Sequence, residues 1–89
     1  MQQHVLIIEN GEGNLELMAL CQIKLKDLAG AIESYSLAIE INPENGFYYK
    51  NKAFLHYKTG HPEKALKDAL QAQKLGVKMN PALMEKLNK

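Results

Sequence analysis

Residues 31–45 read AIESYSLAIEINPEN, and the fold turns on them. Ala31, Ile32, Tyr35 and Ala38 fall in a helical pattern, which Asp27 is placed to cap at its start. The pattern ends at Asn42-Pro43-Glu44-Asn45-Gly46, because proline cannot continue a helix and glycine favours the turn. Upstream, Asn14 suits the N-cap of a helix running to about Leu25, after an ENGEG stretch that reads as a turn. Downstream, FYYKNKAFLHYKT forms a third helix that stops at Gly60. Pro62 opens a fourth, EKALKDALQAQKL, that stops at Gly76, and Asn80-Pro81 begins a last short one, ALMEKLNK. The expected class is all-α.

A shift of 34 residues lays Glu12–Asn45 over Gly46–Met79. Identities fall at Ala19/Ala53, Lys24/Lys58, Ala31/Ala65 and Ala38/Ala72, and Ile32/Leu66 and Ile41/Leu75 are conservative pairs. The repeated alanines have a physical reason, since only a small side chain admits a neighbouring backbone where two helices cross closely. Leu15, Met18, Ile32 and Tyr35 in one copy, and Tyr49, Leu55 and Leu66 in the other, are expected to fill the space between helices.

With these residues in view, the chain resembles the tetratricopeptide repeat family. Ala31, Tyr35, Ala38 and Pro43 match the family's alanine, aromatic, alanine and closing proline. Tyr49, Ala53, Gly60, Ala65 and Ala72 match in the second copy. The departures are Leu15 at an aromatic position, Lys26 where glycine would sit, and Val77 in place of the second proline. The resemblance implies antiparallel helix pairs stacked as a short right-handed α-solenoid. It divides the chain into an N-terminal segment (1–13), repeat units at 14–45 and 46–79, and a capping helix at 80–89.

In that family the first helix of each pair lines a concave groove. The groove-facing stripe in the second unit is Lys50, Asn51, Phe54, Tyr57 and Lys58, which share one helical face. The matching stripe in the first is Glu16, Leu17, Leu20, Ile23 and Lys24. One half is basic and aromatic with an amide, and the other is largely aliphatic, which suits a peptide with an apolar anchor and an acidic group. Asn51 stands out because its amide donates and accepts at once. A carboxylate clamp for acidic chaperone tails, as some family members have, is matched only at Asn51: Gly13, Leu17, Pro81 and Glu85 replace its other four members.

Composition narrows the function classes. Eleven lysines against ten acids leave a net charge of +1, and 46% hydrophobic residues exceed what a disordered segment carries. The charge is uneven: residues 1–45 hold two lysines and seven acids, a net of −5, and residues 46–89 hold nine lysines and three acids, a net of +6. With no arginine, bidentate grips on phosphate or guanine are absent, so no nucleic-acid partner is expected. The longest apolar run, Val5–Ile8, is too short to span a bilayer, and the opening lacks a signal peptide's basic start and cleavage site. No membrane partner and a cytoplasmic location are the expectations. His4, His56 and His61 lack metal-site spacing, Gly11 and Gly13 lack the rest of a phosphate loop, and Cys21 reads as a buried small hydrophobe. Glu63, Lys67 and Asp68 read as solvated. Catalysis, metals and cofactors are therefore not expected.

The function expected is a non-enzymatic interaction module, an adaptor or co-chaperone-like scaffold that binds a partner's peptide segment. The groove residues are Leu17, Leu20, Lys24, Lys50, Asn51, Phe54, Tyr57 and Lys58. The alternative is a self-associating unit or a fragment of a longer solenoid. It is motivated by NLELMALCQIKL (14–25), which is apolar nearly all round and calls for cover from the HVLII segment or from a second chain.

Overall fold

The computed structural model describes residues 2–88, with side chains from residue 13 onward. The chain is all-α, with α1 (Gln2–Lys24), α2 (Leu28–Ile41), α3 (Gly46–Lys58), α4 (Pro62–Lys74) and α5 (Pro81–Leu87). Each helix packs on the next, giving two helix pairs and a short final helix stacked as an α-solenoid. No described helix is long and apolar enough to cross a membrane.

The helix starts follow local chemistry. Asp27 caps α2 by accepting a hydrogen bond from the Gly30 N–H at 3.0 Å. Asn45 accepts from Phe47 N–H at 3.1 Å, and Asn80 from Ala82 N–H at 2.8 Å. These side chains satisfy amides that the first helical turn leaves without partners. His61, the 34-residue counterpart of Asp27, makes no capping bond, and α4 starts instead with Pro62 in its first turn.

Three helices stop by one device. Lys26, Gly60 and Gly76 adopt φ of 65°, 84° and 91°. The following amide then reaches back five residues: Asp27 N–H to Gln22 C=O at 2.7 Å, His61 N–H to His56 C=O at 2.8 Å, and Val77 N–H to Ala72 C=O at 3.0 Å. Such left-handed turns recover carbonyls orphaned at the helix end, and glycine makes them without strain. Lys26 makes the same turn with a side chain in the way.

The core confirms the reason for the repeated alanines. Ala19, Ala53, Ala31, Ala65, Ala38 and Ala72 are all fully buried. Two clusters result. Ala19, Ala31, Tyr35, Ala38, Tyr48 and Leu55 form the first, with the Tyr35 and Tyr48 rings 5.9 Å apart. Ala53, Ala65, Ala69, Ala72, Met79 and Leu87 form the second.

Several expectations are corrected. No turn interrupts ENGEG: α1 runs straight through it, so Asn14 lies mid-helix rather than at a cap. Gly46 is not a turn glycine with a special backbone. It is the first residue of α3, and a Cβ there would lie 2.6 Å from Val77 Cγ2 and 3.0 Å from Leu75 Cβ. Its value is close approach to the end of α4. Met18 does not fill the space between helices and is half exposed. Asp68 is not solvated but buried beneath α3. Cys21 is exposed rather than buried. The proposed cover by HVLII lies outside the residues whose side chains are described.

Asp68 belongs to a polar link that occurs once in each helix pair. In the first pair, Ser34 Oγ lies 2.7 Å from the Gln22 side-chain amide. Turned with its nitrogen inward, that amide has Ser34 Oγ, Gly30 C=O and Met18 C=O within reach at 2.7, 3.1 and 3.3 Å as acceptors for its two hydrogens. The residues 34 positions later are His56 and Asp68. His56 Nε2 lies 3.5 Å from Asp68 Oδ2, and Lys52 Nζ lies 3.8 Å from the same oxygen. A neutral link in one unit has become an ionisable one in the other. Burial raises the Asp68 carboxyl above its ordinary value, against the pull of Lys52 and His56. Burial likewise lowers the His56 imidazole, despite Asp68, and its Nδ1 has no hydrogen-bond partner among the described residues.

Candidate peptide-binding groove

The end of α1, the turn after it and the start of α2 meet one face of α3 around a recess of about 310 Å³. Ile23, Lys26, Leu28, Asn51, Phe54, Leu55 and Lys58 line it. The helical periodicity of α3 delivers Asn51, Phe54, Leu55 and Lys58 to this one side, and the αL turn at Lys26 brings that residue back to the rim.

Leu55 is buried and forms the floor, whereas Phe54 is 49% exposed. Lys58 Nζ stands 5.2 Å from the Phe54 ring centroid, within cation–π range. A carboxylate arriving beside this ring would therefore meet an ammonium group already in place. Asn51 is half-buried and hydrogen-bonds the Tyr35 hydroxyl. Burial is the main cause that holds the Tyr35 hydroxyl above its usual value, with the Glu16 carboxylate adding to it and Asn51 opposing. An asparagine amide offers two donors and a two-lone-pair oxygen, so one bond to Tyr35 fixes its orientation and leaves capacity for another group.

The remaining expected groove residues are placed differently. Leu17 is 63% exposed but opens into a second cavity, between α1 and α2. Leu20 and Lys24 are exposed and line neither cavity. Lys50 is half-buried outside the recess. Tyr57 packs against the second core cluster, with Lys86 Nζ 5.8 Å from its ring centroid. The recess thus brings together Asn51, Phe54 and Lys58 with Ile23, and adds Lys26 and Leu28, which the helical stripes did not include. The signal for Lys26 lay in the repeat itself, since it stands opposite Gly60, the turn residue of the second unit. Among the described residues no group of three or more His, Cys, Asp or Glu could hold a metal ion.

No family model matches the chain. Pairwise likeness is clearer. Over 71 residues, 80% of this chain, it is 38% identical to small glutamine-rich tetratricopeptide repeat-containing protein 2 of Mycosarcoma maydis. Over 46 residues, 52% of this chain, it is 41% identical to small glutamine-rich tetratricopeptide repeat-containing protein beta of Homo sapiens. The chain belongs to the tetratricopeptide repeat family. It is also 41% identical over 64 residues, 72% of its length, to serine/threonine-protein phosphatase 5 of Homo sapiens. The chain spans 18%, 13% and 15% of the fungal protein, the phosphatase and the human beta protein, respectively. What is shared is the tetratricopeptide repeat unit.

Proposed function

We propose that this tetratricopeptide repeat unit is a non-enzymatic protein-interaction module that binds a partner's peptide in the recess between α1 and α3. The observation that carries the reading is the half-exposed Phe54, set over an apolar floor with Lys58 and Lys26 at the rim. Leaving an aromatic ring this exposed forgoes burial free energy on the order of 1 kcal/mol, which a ligand's apolar side chain would recover. The preferred ligand carries one apolar anchor for the recess and a carboxylate for the lysines. Asn51 supplies an oriented amide for the ligand main chain. Neighbouring Lys24 and Lys50 extend the positive potential and raise the encounter rate with acidic segments.

The test is a titration with a synthetic peptide that carries a single isoleucine flanked by aspartates. Asn51→Ala and Lys58→Glu are expected to weaken binding about tenfold or more, the loss of one oriented hydrogen bond or one charge pair. Circular dichroism is expected to stay unchanged. If both variants bind as the parent does, the groove assignment is wrong.

A further inference from the structure

A second surface lies on the α1–α2 pair, shares no lining residue with the recess and does not depend on the groove reading. Between the middle of α1 and the outer side of α2 is an open cavity of about 770 Å³ lined by Leu17, Met18, Cys21, Leu37, Glu40 and Ile41, with Asn14 and Leu15 at one side. Leu17, Met18, Leu37 and Ile41 are between 45% and 63% exposed. These are large apolar side chains gathered in one place, which marks an interaction site rather than scattered surface hydrophobes.

The internal repeat says what shape belongs there. Cys21 and Asn14 are the 34-residue counterparts of Leu55 and Tyr48. In the second unit those two residues are 2% exposed, because α2 lies across them and contributes Ala31, Tyr35 and Ala38 to the same cluster. The same face of α1 has no such helix across it among the described residues. The rim says what charge belongs there. Glu33 and Glu40 are exposed on the outer side of α2, and α2 contains no basic residue.

The geometry points to this surface as the docking seat of a partner protein's basic amphipathic helix, laid on α1 and α2 as α2 is laid on α3. Its apolar residues, spaced three and four apart, enter the cavity, and its lysines or arginines meet Glu33 and Glu40. A second copy paired through the same end fits less well, since it would bring the same acids face to face.

Cys21 is the chain's single cysteine and lines the cavity, so its alkylation rate reports occupancy directly. Two helical peptides as long as α2 serve as probes. Each has leucine and alanine at three- and four-residue spacing, with lysine elsewhere in one and glutamate in the other. The lysine peptide is expected to slow Cys21 alkylation about tenfold at about 90% occupancy, and the glutamate peptide to leave it unchanged. The double variant Glu33→Lys/Glu40→Lys, changed only at exposed positions, is expected to reverse that preference. Phe54→Ala in the groove is expected to leave it intact. Equal protection by both peptides, or by neither, would overturn the proposal. So would protection that grows with the concentration of the protein alone, which would assign the surface to a second copy.

Discussion

At Lys26 the chain asks a side chain to do what glycine does at Gly60 and Gly76. The αL conformation costs a non-glycine residue about 1–2 kcal/mol, part of which glycine returns through its greater unfolded-state entropy. Lys26→Gly is therefore expected to raise stability by about 0.5–1 kcal/mol, read as a higher urea midpoint with an unchanged slope. Glycine-to-alanine changes have opposite expected signs at two sites. At Gly13, mid-helix with nothing within 4 Å of the added carbon, the substitution is expected to stabilise by up to about 1 kcal/mol. At Gly46 the added carbon collides with Val77 and Leu75, and the expected loss is about 1–3 kcal/mol. The same denaturation series checks both. The sequence showed Lys26 as a departure from a glycine position, which was enough to locate the strain. It could not show the role of Gly46, because the atoms it makes room for lie some thirty residues further along the chain.

The helices α2 to α5 were legible because their ends carry local chemistry, with Asp27 and Asn80 as caps, the Asn42–Gly46 break between α2 and α3, and glycines at two stops. The start of α1 was not. Asn14 and the flanking glycines have the composition of a turn, yet helical geometry continues through them. The α3–α4 link was also missed, since Asp68 on an otherwise charged helix resembles a solvated residue until α3 is laid over it. This link gives the second unit a pH response that the first lacks. The folded His56 holds its proton less tightly than the unfolded one, so its neutral burial contributes stability that is present above its unfolded pKa of about 6.5 and lost as pH falls below it. Asp68 acts in the opposite sense, because its raised folded pKa makes its charged burial a cost that is relieved as pH falls through the folded value. The His56 contribution is therefore expected to lower thermal midpoints between about pH 7.5 and pH 5.5, a drop read as the difference between the parent and a His56 variant. His56→Gln, which installs the residue that Gln22 supplies in the first unit, is expected to flatten that drop.

Across the whole molecule, the near-neutral charge resolves into an acidic end and a basic end, with the recess where the two halves meet. The acidic end carries the wide apolar cavity beside α2, and the recess at α3 has lysines on its rim. The stack itself was readable from the 34-residue period, because alanines at helix crossings leave a mark in sequence. Which stripe residues converge was not, since that depends on how far α1 is offset from α3. Leu17 and Asn51 hold equivalent repeat positions yet open into different cavities. Binding of an acidic ligand at the lysine-rimmed recess is expected to weaken as salt is raised from 50 to 500 mM, by roughly the screening of one or two exposed charge pairs. Peptide binding in the recess is read most directly by a backbone chemical-shift map recorded while the isoleucine–aspartate peptide is titrated in. The largest shifts are expected at Ile23, Lys26, Leu28, Asn51, Phe54 and Lys58, with Leu37 and Ile41 still. Shifts centred on Leu37 and Ile41, or none at α3, would contradict binding in the recess.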